Sequence, residues 1–176
     1  MKALKFWGVL GVACGVIWGT GCSSSAPAEQ EVDPKVRLEI TNVIDSLFAG
    51  MARKDSALLR QVMVPTTSIH RVQLDTAGEQ KIHYVSGESF LRAMTNTGFE
   101  QREECWDMQV QVNENLATVV APYRYELNGA FAHCGVNQFG LIKGREGWRI
   151  HSLEFSITSR DSTECATKYP RSTDAK

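Results

Sequence analysis

The sequence predicts an α+β domain in which three helices of the N-terminal half pack on one strongly curved, mainly antiparallel sheet. Three observations carry that expectation. Apolar residues recur at three- and four-residue spacing in separate stretches before Gly98. Alternating, strand-like runs dominate from Glu103 onward, broken by turn residues such as Asn128-Gly129. A single sheet of that length has to bend to cover the helices.

Size and charge narrow the class. With 176 residues, 43% hydrophobic and 22% charged, the chain supports one ordinary domain and is too apolar to be disordered. A formal charge of −1 argues against the clustered Lys and Arg of a nucleic-acid-binding surface, so no nucleic-acid partner is expected.

Residues 1–21 read as a secretory signal. Lys2 and Lys5 form a basic start, an uncharged run follows from Phe6 to Gly21, and then comes Cys22. Gly19-Thr20-Gly21-Cys22 resembles a bacterial lipobox, with Thr20-Gly21 as the small pair before the cut and Gly19 where a larger apolar residue is usual. Cys22 is therefore the expected lipidation site. Residues 22–34 carry almost no large apolar side chain and read as a flexible tether. The implied location is the bacterial cell envelope, reached by general secretion, with Ser23 after the cysteine favouring the outer membrane. Removing residues 1–21 takes two of the 19 bases and none of the 20 acids, leaving a net charge of −3.

The domain is expected over 35–160. Asp33-Pro34 starts a helix, and Val36, Ile40, Val43, Ile44, Leu47 and Phe48 give it one apolar face to about Ala52. Asp55 caps a shorter helix that Pro65 stops. Ser68 to Leu74 and Gln80 to Val85 alternate as a hairpin around Thr76-Ala77-Gly78, and Ser86 opens a third helix ending near Gly98. Glu103 to Val112, Leu116 to Leu127, Ala130 to Lys143 and Trp148 to Thr158 then form a meander. Pro122 cannot donate to a ladder and marks an edge or bulge. Residues 161–176 read as a polar tail.

At this point the residues resemble a family. The element order, with Ala121-Pro122-Tyr123, Leu127-Asn128-Gly129, His133-Cys134-Gly135-Val136, Phe139 and Gly147-Trp148-Arg149-Ile150, is similar to an uncharacterised bacterial lipoprotein branch of the nuclear transport factor 2-like superfamily. That superfamily includes ketosteroid isomerases and SnoaL-like cyclases. The resemblance covers roughly residues 35–165 and implies a cone-shaped α+β barrel with a pocket between sheet and helices. It does not imply a reaction.

The candidate ligand-binding residues are Tyr123, Tyr125, His133, Asn137 and Phe139. His133 and Asn137 alternate with Phe131, Phe139 and Leu141 on one face of a strand; Tyr123 and Tyr125 share a face with Val119 and Ala121. If the protein is an enzyme, His133 with Tyr123 or Tyr125 would carry the chemistry. Relatives implied by the resemblance often have Asp where Asn137 stands, and an amide takes up no proton at physiological pH. Binding of a small apolar ligand, or dimerisation through the sheet, is therefore the favoured reading over an isomerase or cyclase acting on a hydrophobic carbonyl compound. Asp45 and Asp107 are the nearest alternative acids. A pocket lined by Tyr and His with a buried carboxylate would speak for chemistry. A cavity filled by Phe131, Phe139 and Trp148 would leave a structural role. His70, His83, His133 and His151 fall at no metal-binding spacing, so neither metal nor cofactor is expected.

Cysteine pairing follows from register. Counting from Asn128-Gly129, Cys134 opposes Tyr123, and counting from the turn at 113–114, Tyr123 opposes position 104. Cys105 and Cys134 are then two strands apart, roughly 10 Å at ~4.8 Å per strand, too far to bridge. Cys165 in the tail is unconstrained. The expected disulfide is Cys134–Cys165, with Cys105 left beside Trp106 as a free buried thiol.

Overall fold

The computed structural model describes residues 31–75 and 77–172. The signal segment, Cys22, nearly all of the tether and Thr76 of the first hairpin turn lie outside them. Among the described residues, four helices and seven strands follow in the order α1 Pro34–Arg53, α2 Ser56–Val62, β1 Met63–Leu74, β2 Gln80–Ser86, α3 Gly87–Thr95, β3 Gln101–Cys105, β4 Gln109–Asn113, β5 Leu116–Leu127, β6 Ala130–Gly144, β7 Gly147–Ile157 and α4 Ser162–Lys168. The helices pack on a single mixed, mainly antiparallel sheet, an α+β cone.

Local chemistry sets the helix starts. Asp33 accepts from the Lys35 N–H at 2.7 Å with Pro34 at the first helical position, and Asp55 accepts from Ala57 and Leu58 at 3.0 Å. Ser86 caps α3 through Ser89. The apolar face of α1 places Ile40, Ile44 and Leu47 against Val119, Phe139 and Leu141 of the sheet, with Phe48 edge-on to Phe139.

The sheet runs β2-β1-β7-β6-β5-β3, with β4 also on β5. Every pair is antiparallel except β1–β7, which is parallel. Two departures from the expected meander shift the register. The third strand is two strands, because Asp107 turns at a positive φ of 48° and interrupts it. Pro122 lies opposite that break, where its carbonyl takes the Trp106 N–H at 3.3 Å and its missing donor costs no ladder bond. In the β5–β6 pair, Tyr125 opposes His133 but Glu126 opposes Phe131, so Ala132 is an extra residue in a bulge. Cys134 therefore faces Arg124, not Tyr123, and Tyr123 faces Cys105, not residue 104. The bulge also turns Phe131 to the outer face, where the Arg124 guanidinium lies 5.3 Å from its ring. The expectation that Phe131 shares the face of His133 is thereby corrected.

Cys105 and Cys134 remain two strands apart, and the disulfide is Cys134–Cys165, with Cα atoms 6.1 Å apart. Cys105 is free and half-buried. The segment read as a polar tail is a correction: residues 162–168 form α4, capped by Asp161, which accepts from Thr163 and Glu164. Beyond it Arg171 pairs with Glu104 and lies 4.6 Å from the Trp106 ring, and Ser172 bonds Asp107. Short polar segments read as loops from composition; here a disulfide and a cap supply what α4's few apolar residues do not.

Closing a loop of 31 residues contributes about 3–4 kcal/mol in the chain-entropy model. Cys165→Ser should lower the Tm by on the order of 10 °C under oxidising conditions. The reductant sensitivity of the parent protein, followed by thermal unfolding with and without dithiothreitol, should vanish in the variant.

Candidate functional site

Alternation along the strands aims one set of side chains into the cone. From β5 and β6 these are Tyr123, Tyr125, His133 and Asn137; from β3 comes Glu103, and from β7 Phe155. With Leu47, Phe48 and Met51 of α1 and Phe90 and Met94 of α3 as a roof, they enclose a cavity of about 210 Å³. Phe139 is fully buried behind this lining, against Phe48, and Trp148 packs in the core as well. Neither fills the cavity.

Hydrogen bonds tie the polar lining together. Gln101, one of the few buried polar residues, donates to the Met51 carbonyl at 2.9 Å and the Met94 carbonyl at 2.8 Å. Those carbonyls lie in the last turns of α1 and α3, where helices leave acceptors unpaired. Gln101 also accepts the Tyr125 hydroxyl at 3.0 Å, so one side chain joins both roof helices to the sheet. The Tyr123 hydroxyl donates to the Ser156 carbonyl at 2.9 Å and lies 3.0 Å from His133 Nδ1. A hydroxyl has one proton. With that proton directed at the Ser156 carbonyl, Nδ1–H of His133 is the donor to the Tyr123 oxygen, which leaves Nε2 as the unprotonated nitrogen. The rings of Tyr125 and His133 stack at 5.0 Å. Gly135 on β6 is required here, since a Cβ would stand 1.9 Å from the same Ser156 carbonyl.

Asn137, 1% exposed, donates to Glu103 Oε1 at 2.7 Å and to Cys105 Sγ at 3.5 Å. Desolvation raises the Glu103 carboxyl to about 7, against the lowering effect of the Asn137 amide. Desolvation also raises the Cys105 thiol and Tyr123, with the Glu103 charge as the second cause in each, and Tyr125 goes to about 12 for the same reasons. His133 moves the other way, down to about 4, through desolvation and then the charges of Arg160 and Arg71.

The cavity thus brings together Tyr123, Tyr125, His133 and Asn137. The acid beside them is Glu103, not Asp45 or Asp107. Asp45 is exposed and outside the lining, and the exposed Asp107 carboxylate is held by Ser172. Period-two alternation puts Glu103 with Gln101 and Cys105, but Glu100, Arg102 and Glu104 beside it give that strand end no apolar face to mark the inside. Arg71, the other charged lining residue, shares a face with Ile69. Its strand carries apolar residues on both faces, so periodicity gave no inside. Among the described residues, no group of three or more His, Cys, Asp or Glu is placed to hold a metal.

Two opposed proton linkages follow. Glu103, raised when folded, contributes stability below about pH 4.5 that is lost as pH rises to about 7. His133, lowered when folded, contributes stability above about pH 6.5 that is lost as pH falls to about 4. Relative to the parent protein, Glu103→Gln should gain stability as pH rises from 4.5 to 7, by on the order of 1–3 kcal/mol. His133→Gln should lose relative stability as pH rises from 4 to 6.5. Urea unfolding across pH 4–8 reads both trends.

No protein-family model matches the chain, and no curated protein matches it either. Solved structures do. A protein of unknown function with a cystatin-like fold from Nostoc punctiforme superposes with a TM-score of 0.59 at 12% identity, over 76% of this chain and 98% of that one. A protein from Kribbella flavida gives 0.59 at 16%, over 76% and 97%. A nuclear transport factor 2-like superfamily protein from Salmonella enterica gives 0.56 at 19%, over 73% and 94%. At these identities the likeness is one of fold.

Proposed function

We propose that this chain is a lipid-anchored cell-envelope protein whose cone binds a small, largely apolar molecule without transforming it. One observation carries the binding reading: a cavity of about 210 Å³ with mainly apolar walls, whose hydroxyl protons are already committed. Stabilising a developing oxyanion takes donors aimed at empty space. The Tyr123 hydroxyl donates to the Ser156 carbonyl and the Tyr125 hydroxyl donates to Gln101 Oε1. His133, held near 4, is a weak base at neutral pH, and Asn137 is an amide bonded to Glu103.

Glu103 favours a second reading, an isomerase- or cyclase-like proton transfer on a hydrophobic carbonyl compound. A carboxyl near 7 in an apolar site is matched to abstract a proton at neutral pH. In that reading Glu103 takes the role first expected of His133. Screening the protein against hydrophobic carbonyl compounds separates the two. Thermal stabilisation without turnover is the expected result. Turnover that survives His133→Ala but is lost in Glu103→Gln would establish the enzyme instead.

The anchor rests on Lys2, Lys5, the uncharged run to Gly21, Cys22 and the tether after it. Mass spectrometry of the mature N-terminus should find an acylated Cys22, and Cys22→Ser should move the protein out of the membrane fraction. An intact Met1 would overturn the assignment. The outer membrane is the proposed destination, and a homodimer through the sheet is the proposed assembly.

A further inference from the structure

Arg71 is a charge on the buried side of a strand. It alternates with Ile69, which is 2% exposed, and its side chain reaches the cavity wall. Its Nε is shielded from solvent and has no hydrogen-bond partner, and no carboxylate pairs with the guanidinium among the described residues. An unpaired buried donor is costly, more so on a charged group. Glu103 does not relieve it: that carboxyl accepts from Asn137 through Oε1, and no ion pair joins it to Arg71.

The register sets the distance between them. Asn137 faces Phe155, and Phe155 faces Arg71. Two inter-strand steps separate Arg71 from Asn137, roughly 10 Å at ~4.8 Å each, with the Phe155 ring between. The cavity therefore has mainly apolar walls, with an amide–carboxyl pair at one place and, at another, a guanidinium that no carboxylate pairs among the described residues. The lowering of His133 comes first from desolvation and then from the charges of Arg160 and Arg71, so Arg71 is close enough to be felt at that side of the cavity.

From this placement we infer that the ligand is an amphipathic monocarboxylic acid whose carboxylate accepts from Arg71 while its apolar body lies along Phe155 under the helical roof. A guanidinium presents parallel N–H groups that a carboxylate matches. The cavity volume corresponds to about seven waters at ~30 Å³ each, which suits a ring with a short chain or a medium-length alkyl acid. This inference rests on the binding reading above and names its ligand class.

The test uses the purified protein at pH 8 with 3-phenylpropionate and octanoate, their neutral amides, and acetate, followed by calorimetry and thermal stabilisation. Each acid should bind roughly tenfold or more tightly than its amide, as a charge-assisted hydrogen bond allows. Acetate at equal concentration should do nothing. Arg71→Gln should remove the preference for the acid, weakening the acid roughly tenfold more than the amide. Equal binding of acid and amide, or a preference that survives Arg71→Gln, would overturn the carboxylate assignment while leaving the apolar cavity as a binding site. Binding of none of the four larger probes would overturn both. Should Arg71→Gln fail to fold, the comparison of acid with amide on the unaltered protein decides alone.

Discussion

The pairing of β5 with β6 fixes the position of almost everything else in this molecule. On its far edge β5 carries both β3 and β4, and on its own far edge β6 carries β7, through which β1 and β2 join the sheet. A bulge of one residue, Ala132, sits near the hairpin end of that pair. Because side chains alternate with period two, the extra residue flips the face of every position on the hairpin side of it. It sends Phe131 outward and leaves His133 beside Tyr125 inside the cone. Without it Phe131 and His133, two residues apart, would share one face of the strand.

Much of this was legible in the sequence. The three N-terminal helices carry capping residues and apolar stripes, and the Asn128-Gly129 dipeptide marks the central hairpin, so the α+β architecture follows from periodicity and turn chemistry. The cysteine pairing survives a register error of one residue, because the argument needed only that Cys105 and Cys134 be two strands apart. The bulge, the break at Asp107 and α4 were not legible. A bulge adds one residue without a compositional mark, and α4 owes its place to a covalent bond formed over distance. Glu103 and Arg71 escaped for a common reason. Their charge reads as exposure, and only the closure of the cone by α1 and α3 puts them inside.

Inside the cone, burial moves neighbouring groups in opposite directions. Desolvation penalises whichever form is charged, so the carboxyl of Glu103 becomes a weaker acid and the imidazole of His133 a weaker base. Both are driven toward neutrality by the apolar walls that make the cavity. Gln101 shows the same economy of polar groups: it serves two helix ends and a tyrosine while being almost wholly buried. A side chain with fewer hydrogen-bonding atoms at that position would lose one or more of these three bonds.

The parallel contact between β1 and β7 has a kinetic meaning. Residue 63 lies against residue 150 and residue 73 against 157, so the contact joins the start of the domain to its end. Loop-closure entropy is lost before such a contact forms, and topologies rich in distant pairings fold in milliseconds to seconds rather than microseconds. A chain emerging from its N-terminus completes α1, α2 and the β1–β2 hairpin long before the strand that receives them exists. Until β7 arrives, the inward edge of β1 is an unpaired strand edge, the kind of surface on which chains associate wrongly. The sheet has its weakest moment late in synthesis, and its last strand closes it.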